Sequence, residues 1–255
     1  MTDSLFTPFR KERCPDWLCP ACLNASLAVV PKSIQEAQTA LTLRYKNTEG
    51  FEVEDYELIF SCMLKCERSD CRESVSVSGK GLLIQDFIYG EYGIEDVNYV
   101  SEYRAKTFFP PLPLFVPPAG CPEYILDQLK EISALLTGHP AAAANAIRSL
   151  LEVLLDDLKV PRMVPQKNPQ KQRALKLHER IENYGPLLGP HKPALMALKL
   201  LGNAGSHGGT PIQIQHLDDA CAVLEQMVMQ LYQSCPDLSD RVSRLNNAFS
   251  TKPEP

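Results

Sequence analysis

Apolar and polar side chains alternate through residues 37–46 (AQTALTLRYK), 56–66 (YELIFSCMLKC) and 73–79 (ESVSVSG). A period of two marks strands with one buried face, so these three stretches predict a small antiparallel sheet. Between 85 and 107 the chain is aromatic and acidic without a clear period. The run FFPPLPLFVPPAGCP at 108–122 then holds six prolines. Proline at that density favours extended polyproline geometry, which predicts a linker that acts as a semi-rigid spacer or lies across a neighbouring surface.

Beyond residue 122 the period becomes helical. Ile125, Leu129, Ile132 and Leu136 share one helical face, and Pro140 stands where a first helical residue tolerates proline. The strongest helix is predicted from 140 to about 159. Its apolar side carries Ala143, Ile147, Leu150, Leu151, Leu154, Leu155 and Leu158, and its polar stripe carries Asn145, Arg148, Glu152, Asp156 and Lys159. Further helices are expected at about 170–184, 193–204 and 215–234, the last with Leu217, Cys221, Leu224, Val228 and Leu231 on one face. The expected class is α+β. A β-rich module (1–107), the proline-rich linker (108–122), an all-α antiparallel helical bundle (123–249) and a disordered tail (250–255) follow in order.

Composition narrows the function classes. A net charge of −5 over 255 residues argues against a nucleic-acid binder that uses its whole surface. No stretch approaches the ~20 apolar residues of a membrane span. The opening MTDSLFTPFRKER is charged where a secretory signal has its apolar centre. These features predict a cytoplasmic protein without a membrane partner, in which the nine cysteines stay reduced. Cys121, Cys221 and Cys235 lie in or beside helical segments and read as small buried hydrophobes.

The other six cysteines fall between residues 14 and 71. CPAC at 19–22 is a C-x-x-C knuckle, and CERSDC at 66–71 is a second short-spaced pair that a strand follows at once. Two such pairs on tight turns let four thiolates converge on one tetrahedral ion. The predicted ligands are Cys19, Cys22, Cys66 and Cys71, with Cys14 or Cys62 as alternatives for one member, and the predicted cofactor is structural zinc, Zn2+. Four thiolates leave no open coordination position, which assigns the ion to folding rather than catalysis.

In the helical part, KLLGNAGSHGG at 199–209 is read as a helix end that delivers Asn203 and His207 into a glycine-rich turn, where glycine permits positive φ and close backbone approach. The plainer reading of His207 is a cap on the helix terminus. Lys159, Arg162, Lys167, Lys171, Arg173, Lys176 and Arg180 stand against one acid, Glu179, in the segment they bound. Lys167, Lys171, Arg173 and Lys176 are the candidate contacts to a phosphate backbone. The plainer reading is a solvated charged loop.

The runs AAAANAIRSLLEVLL, KLHERI and LKLLGNAGSH resemble a bacterial helical family, domain of unknown function 4145, of the HEPN superfamily. The likeness covers roughly residues 110 to 235, and the cysteine module resembles the zinc-ribbon-like segment often found ahead of that domain. The resemblance implies a helical, often homodimeric protein. Many HEPN proteins are metal-independent ribonucleases of defence or toxin systems, with an arginine set ahead of a histidine. Here Gly202, Leu201 and Leu200 stand where that arginine would be, and the nearest upstream base is Lys199. His207 is then the candidate general base, Arg148 the candidate cation and Glu152 the residue to orient it, with Asn203 beside them. Two functions follow as expectations. One is a HEPN-like protein that binds or cleaves RNA in a defence, restriction or stress system, and the other a non-catalytic adaptor that meets a protein partner there.

Overall fold

The computed structural model describes residues 3–90, 93–166, 171–207, 211–233 and 239–249. It has a β-rich N-terminal half and a helical C-terminal half, and so is α+β. Strands β1 (Leu27–Val29), β2 (Gln35–Gln38), β3 (Glu57–Cys66), β4 (Ser74–Gly90) and β5 (Gly93–Phe109) form one antiparallel sheet. Its order is β1-β3-β4-β5, and β2 shares the β3 edge with β1. The predicted strands at 56–66 and 73–79 are present as β3 and the start of β4, with Leu58, Phe60, Cys62, Leu64 and Cys66 buried along one face.

The stretch 37–46 differs from expectation. Only its first residues extend β2, and Ala40–Tyr45 form a short helix, α1. Thr39 caps that helix, its Oγ1 accepting the backbone N–H of Thr42 at 3.2 Å, which offers the chain a local alternative to the ladder. The alternating Leu41, Leu43 and Tyr45 face solvent. The buried residue is polar Thr42, whose hydroxyl donates to the carbonyl of Glu57 and accepts its N–H, each at 2.9 Å.

Residues 85–107, aperiodic in sequence, belong to the β4–β5 ribbon. Strand β3 pairs with β4 only from Ser74 to Leu82, so beyond that point β4 and β5 continue as a two-stranded arm. An arm open to water on both faces has no reason to alternate.

The helical half comprises α2 (Glu123–Leu136), α3 (Pro140–Asp157), α4 (Leu177–Asn183), α5 (Gly185–Leu188), α6 (Lys192–His207), α7 (Ile214–Tyr232) and α8 (Ser239–Phe249). A short hairpin, β6 (Met163–Pro165) with β7 (Gln172–Ala174), precedes α4. That hairpin occupies part of the region expected to be helical from 170. Seven apolar residues of α3 are buried against α2, α6 and α7. Gly202 lies on Arg148 and Gly205 on Ala141, a reversed order that makes α3 and α6 antiparallel.

One hydrophobic core runs through both halves, from Leu5 to Val228. Trp17 is fully buried at its sheet end, with ring centroids 5.5 Å from Phe9 and 5.0 Å from Phe108. The proline-rich run lies across the helices: Leu112 and Phe115 are buried, and the Leu112 carbonyl accepts the hydroxyl of Ser133 on α2. Thr137 and Lys106 clasp the halves together, the threonine hydroxyl donating to the Lys106 carbonyl at 2.9 Å and the lysine ammonium to the Thr137 carbonyl at 3.3 Å. Strand β5 itself runs through the expected module boundary at 107 to Phe109. The expected tail, 250–255, lies outside the described residues. No helix among the described residues is long and apolar enough to cross a membrane.

Candidate metal centre

Each cysteine pair sits at the tip of a small hairpin. An isolated bridge between Leu18 and Ala25 closes the loop that carries Cys19 and Cys22. The turn from β3 to β4 carries Cys66 and Cys71, with the Cys66 N–H donating to the Glu73 carbonyl at 2.8 Å. The residue after the second cysteine is left-handed in both loops, Leu23 at φ 58° and Arg72 at φ 59°. Non-glycine residues hold that conformation at a cost of about 1–2 kcal/mol, and it persists only where the surroundings enforce it. Here the Leu23 N–H bonds to the Cys19 carbonyl at 2.9 Å and the Arg72 N–H to the Arg68 carbonyl at 3.1 Å. Register joins the two loops, since Leu27 of β1 is the partner of Cys66.

The four sulfurs of Cys19, Cys22, Cys66 and Cys71 lie within 4.8 Å of one another. Cys19 Sγ is 3.6 Å from Cys71 Sγ, and Cys22 Sγ is 3.8 Å from Cys66 Sγ. A Zn–S bond of ~2.3 Å in tetrahedral geometry requires sulfurs ~3.8 Å apart, so the donor set and spacing fit a tetrahedral thiophilic ion. At Cys22 the surroundings favour the thiolate. The backbone N–H of Asn24 brings the Cys22 thiol down to about 6, and the Ser26 hydroxyl lies 3.1 Å from Cys66 Sγ. Burial pushes Cys19 up to about 12, a penalty on the bare thiolate that a bound cation offsets.

Cys14 and Cys62, the alternatives left by spacing alone, stand apart from this group. The Cys14 thiol donates to the Leu27 carbonyl at 3.0 Å, and burial pushes both thiols up to about 11. Both are core thiols. Cys121 is buried and Cys221 packs at the edge of the core, while Cys235 lies outside the described residues.

The candidate catalytic group is placed differently from expectation. Asn203 lies within α6, which continues to His207, and residues 208–210 lie outside the described residues. The side chain of His207 lies outside the described residues. Of the four glycines of this motif, Gly202 and Gly205 serve the close backbone approach and not a positive φ, and Gly208 and Gly209 lie outside the described residues. A Cβ on Gly202 would stand 2.4 Å from Arg148 Cβ, and one on Gly205 would stand 2.6 Å from the Ala141 carbonyl oxygen. They let α3 and α6 meet at backbone distance. Arg148 thus lies across α6 beside Gly202, and Asn145 one turn away accepts the Ser206 hydroxyl at 2.9 Å. Glu152, expected to orient Arg148, instead pairs with Arg180, because that guanidinium is buried and needs counter-charge more than a half-exposed one does.

The three arginines of the basic stretch are paired with acids, two of which, Glu152 and Asp156, stand outside the stretch itself. Arg162 and Arg180 both bind Asp156, and Arg180 also binds Glu152. Arg173 holds Glu179 at 2.8 Å, and the Lys176 N–H donates to the same carboxylate at 2.9 Å. Lys171 and the Lys176 side chain face solvent, and Lys167 lies outside the described residues. The hub formed by Arg180, Glu152 and Asp156 escaped the sequence reading. Its one sequence signal is the pair of acids four residues apart on the polar stripe of α3.

Residues 7–109 match a family model described as domain of unknown function (DUF8608), and residues 130–248 match one described as domain of unknown function (DUF4145). All four clustered cysteines lie within the first match, and helices α3 to α7 within the second. No curated protein and no solved structure matches the chain.

Proposed function

We propose that this protein is a non-catalytic interaction module whose sheet half is held in shape by a structural zinc ion. The observation that carries the reading is the closed tetrathiolate: four sulfurs from two hairpin tips, spaced for one tetrahedral ion, with every coordination position supplied by the chain. A site of that kind ties loops together and leaves nowhere for a substrate. Support also comes from the helical half, where Glu152 and the arginines of the basic stretch, Arg162, Arg173 and Arg180, are engaged in internal ion pairs. The first test is elemental analysis. Purified chain is expected to carry one zinc per molecule, Cys22→Ser and Cys71→Ser to lose it, and Cys14→Ser and Cys62→Ser to keep it. Metal-free wild-type protein, or zinc retained when both pairs are replaced, would refute the reading.

A second reading, an RNA-directed HEPN-like protein of a defence or stress system, draws on one observation. Arg148 lies across Gly202, on the helix that carries Asn203 and His207. A histidine base and a nearby guanidinium are what cleavage next to a 2′-hydroxyl requires. Transfer RNA incubated with wild type and with His207→Ala separates the two readings. The interaction module predicts no cleavage by either protein, whereas cleavage that disappears in the variant would establish the second.

A further inference from the structure

The four sulfurs of the cluster are not equally open to solvent. Cys19 and Cys66 have no exposed surface, whereas Cys22 and Cys71 are half-buried. Each hairpin tip therefore offers one sulfur to water and keeps one inside. Each open sulfur lies close to the buried sulfur of the other hairpin: Cys22 Sγ is 3.8 Å from Cys66 Sγ, and Cys71 Sγ is 3.6 Å from Cys19 Sγ. A disulfide bond is about 2.0 Å long, so either pair closes with less than about 2 Å of sulfur movement.

Bound to a cation, all four cysteines are thiolates, the form that peroxide oxidises where it can reach. The open Cys22 sulfur attacks one peroxide oxygen, the O–O bond breaks, and a sulfenic acid and a hydroxide result. The Cys66 thiolate, already beside it, attacks the sulfenic sulfur, which forms the S–S bond and expels the oxygen as a second hydroxide. Two electrons have passed from the two sulfurs to one peroxide. Cys71 and Cys19 react in the same way with a second peroxide. Disulfide sulfurs carry no thiolate charge, so the chain no longer holds the ion.

These two bonds would tie the same hairpin tips that the ion ties. They join residues 44 and 52 apart in sequence, and a cross-link over a long loop constrains the unfolded chain more than one over a short loop. Bonds within Cys19 and Cys22, or within Cys66 and Cys71, would close single turns and leave the tips free of each other.

We infer that the cluster is a peroxide-responsive exchange site, in which Cys22 bonds to Cys66 and Cys71 to Cys19, zinc leaves, and the sheet half stays folded on the covalent links. The inference rests on the structural-zinc reading above and gives that site a regulated state. The test treats the zinc-loaded full chain with hydrogen peroxide. A chromogenic chelator follows released zinc, and alkylation of the unfolded chain followed by peptide mass mapping follows the thiols. Four thiols are expected to disappear per zinc released, with Cys22 linked to Cys66 and Cys19 to Cys71, while Cys14 and Cys62 in the core remain alkylated. Trp17 fluorescence of the oxidised, zinc-free chain is expected to melt above that of the reduced chain stripped by a chelator. Dithiothreitol with added zinc is expected to restore the starting protein. Zinc retained while peroxide is consumed overturns the inference. So do bonds within each pair, sulfinic or sulfonic acids in place of disulfides, or an oxidised chain that melts no higher than the stripped one. A chain purified without zinc defeats the earlier reading and this one together, whereas zinc present and then retained defeats this one alone.

Discussion

Arg180 is the one fully buried charged residue among the described residues. Its Nη1 donates to the Glu152 carboxylate, and its Nη2 donates to Asp156 Oδ1 at 2.7 Å and to the Val160 carbonyl at 2.9 Å. Its Nε finds no partner, so the guanidinium is held by its fork alone. Breaking a buried ion pair from one side typically costs ~3–5 kcal/mol. Because Glu152 and Asp156 are each about one-third exposed, water relieves part of that penalty, and Arg180→Ala is expected near the lower end, ~3 kcal/mol, in urea unfolding. Arg162 first, and Arg180 after it, hold the Asp156 carboxyl below its ordinary 3.8. A carboxyl depressed in the fold contributes fully above its unfolded value and loses that contribution as pH falls through its folded value. The urea midpoint of wild type is therefore expected to decline below about pH 4, and that of Asp156→Asn to decline less. An Asp156→Asn profile as steep as wild type would show that the carboxylate does not carry the pH dependence. Nothing in the sequence around Arg180 announces this role, since its partners lie 24 and 28 residues away and a local count places it in a solvated basic run.

What sequence reveals at the level of elements follows from how local the cause is. The cysteine pairs were legible because each ligand spacing is set within one turn, and one tetrahedral ion is the simplest object that four such thiols satisfy. Helices α2, α3 and α7 were legible because each buries one side, which leaves a periodic imprint. Helix α1 was misread for the converse reason. Its alternating leucines face water, and its anchor is the Thr42 hydroxyl on the Glu57 backbone, a contact that no periodicity expresses. In α6, Gly202 and Gly205 suggested a turn because glycine more often marks a backbone that needs positive φ. Their role is to bring a second helix within backbone reach, and that requires knowing that α3 is the neighbour. The arm left no period because neither of its faces is covered, so its presence in the sequence is only a patch of aromatic and acidic residues.

At the scale of the molecule, the proline-rich run that the sequence marks as a spacer or a strap across a neighbouring surface lies across the helices, with Leu112 fully buried and Phe109 and Val116 exposed. The first cysteine knuckle approaches the helices too: Pro20, Ala21 and Leu23 line a cavity of about 350 Å³ together with Leu112, Leu126 and Leu129. Loosening the cysteine cluster therefore loosens a wall that α2 faces, and the clasp between Lys106 and Thr137 ties that helix to β5 a second time. One continuous core implies one cooperative transition. Trp17, the only tryptophan, sits in the sheet half and reports on it, whereas the far-UV helical signal is dominated by α2, α3, α6 and α7. On heating, the two signals are expected to fall together. A chelator is expected to lower both midpoints by the same amount, since metal bound only to the folded state stabilises the whole of whatever unfolds with it. Even ~3 kcal/mol of such linkage would move the midpoint by roughly 6–12 °C in a chain of this size. A helical signal that stays put while Trp17 melts early would mean that the halves unfold as separate domains, and that the ion stabilises the sheet alone.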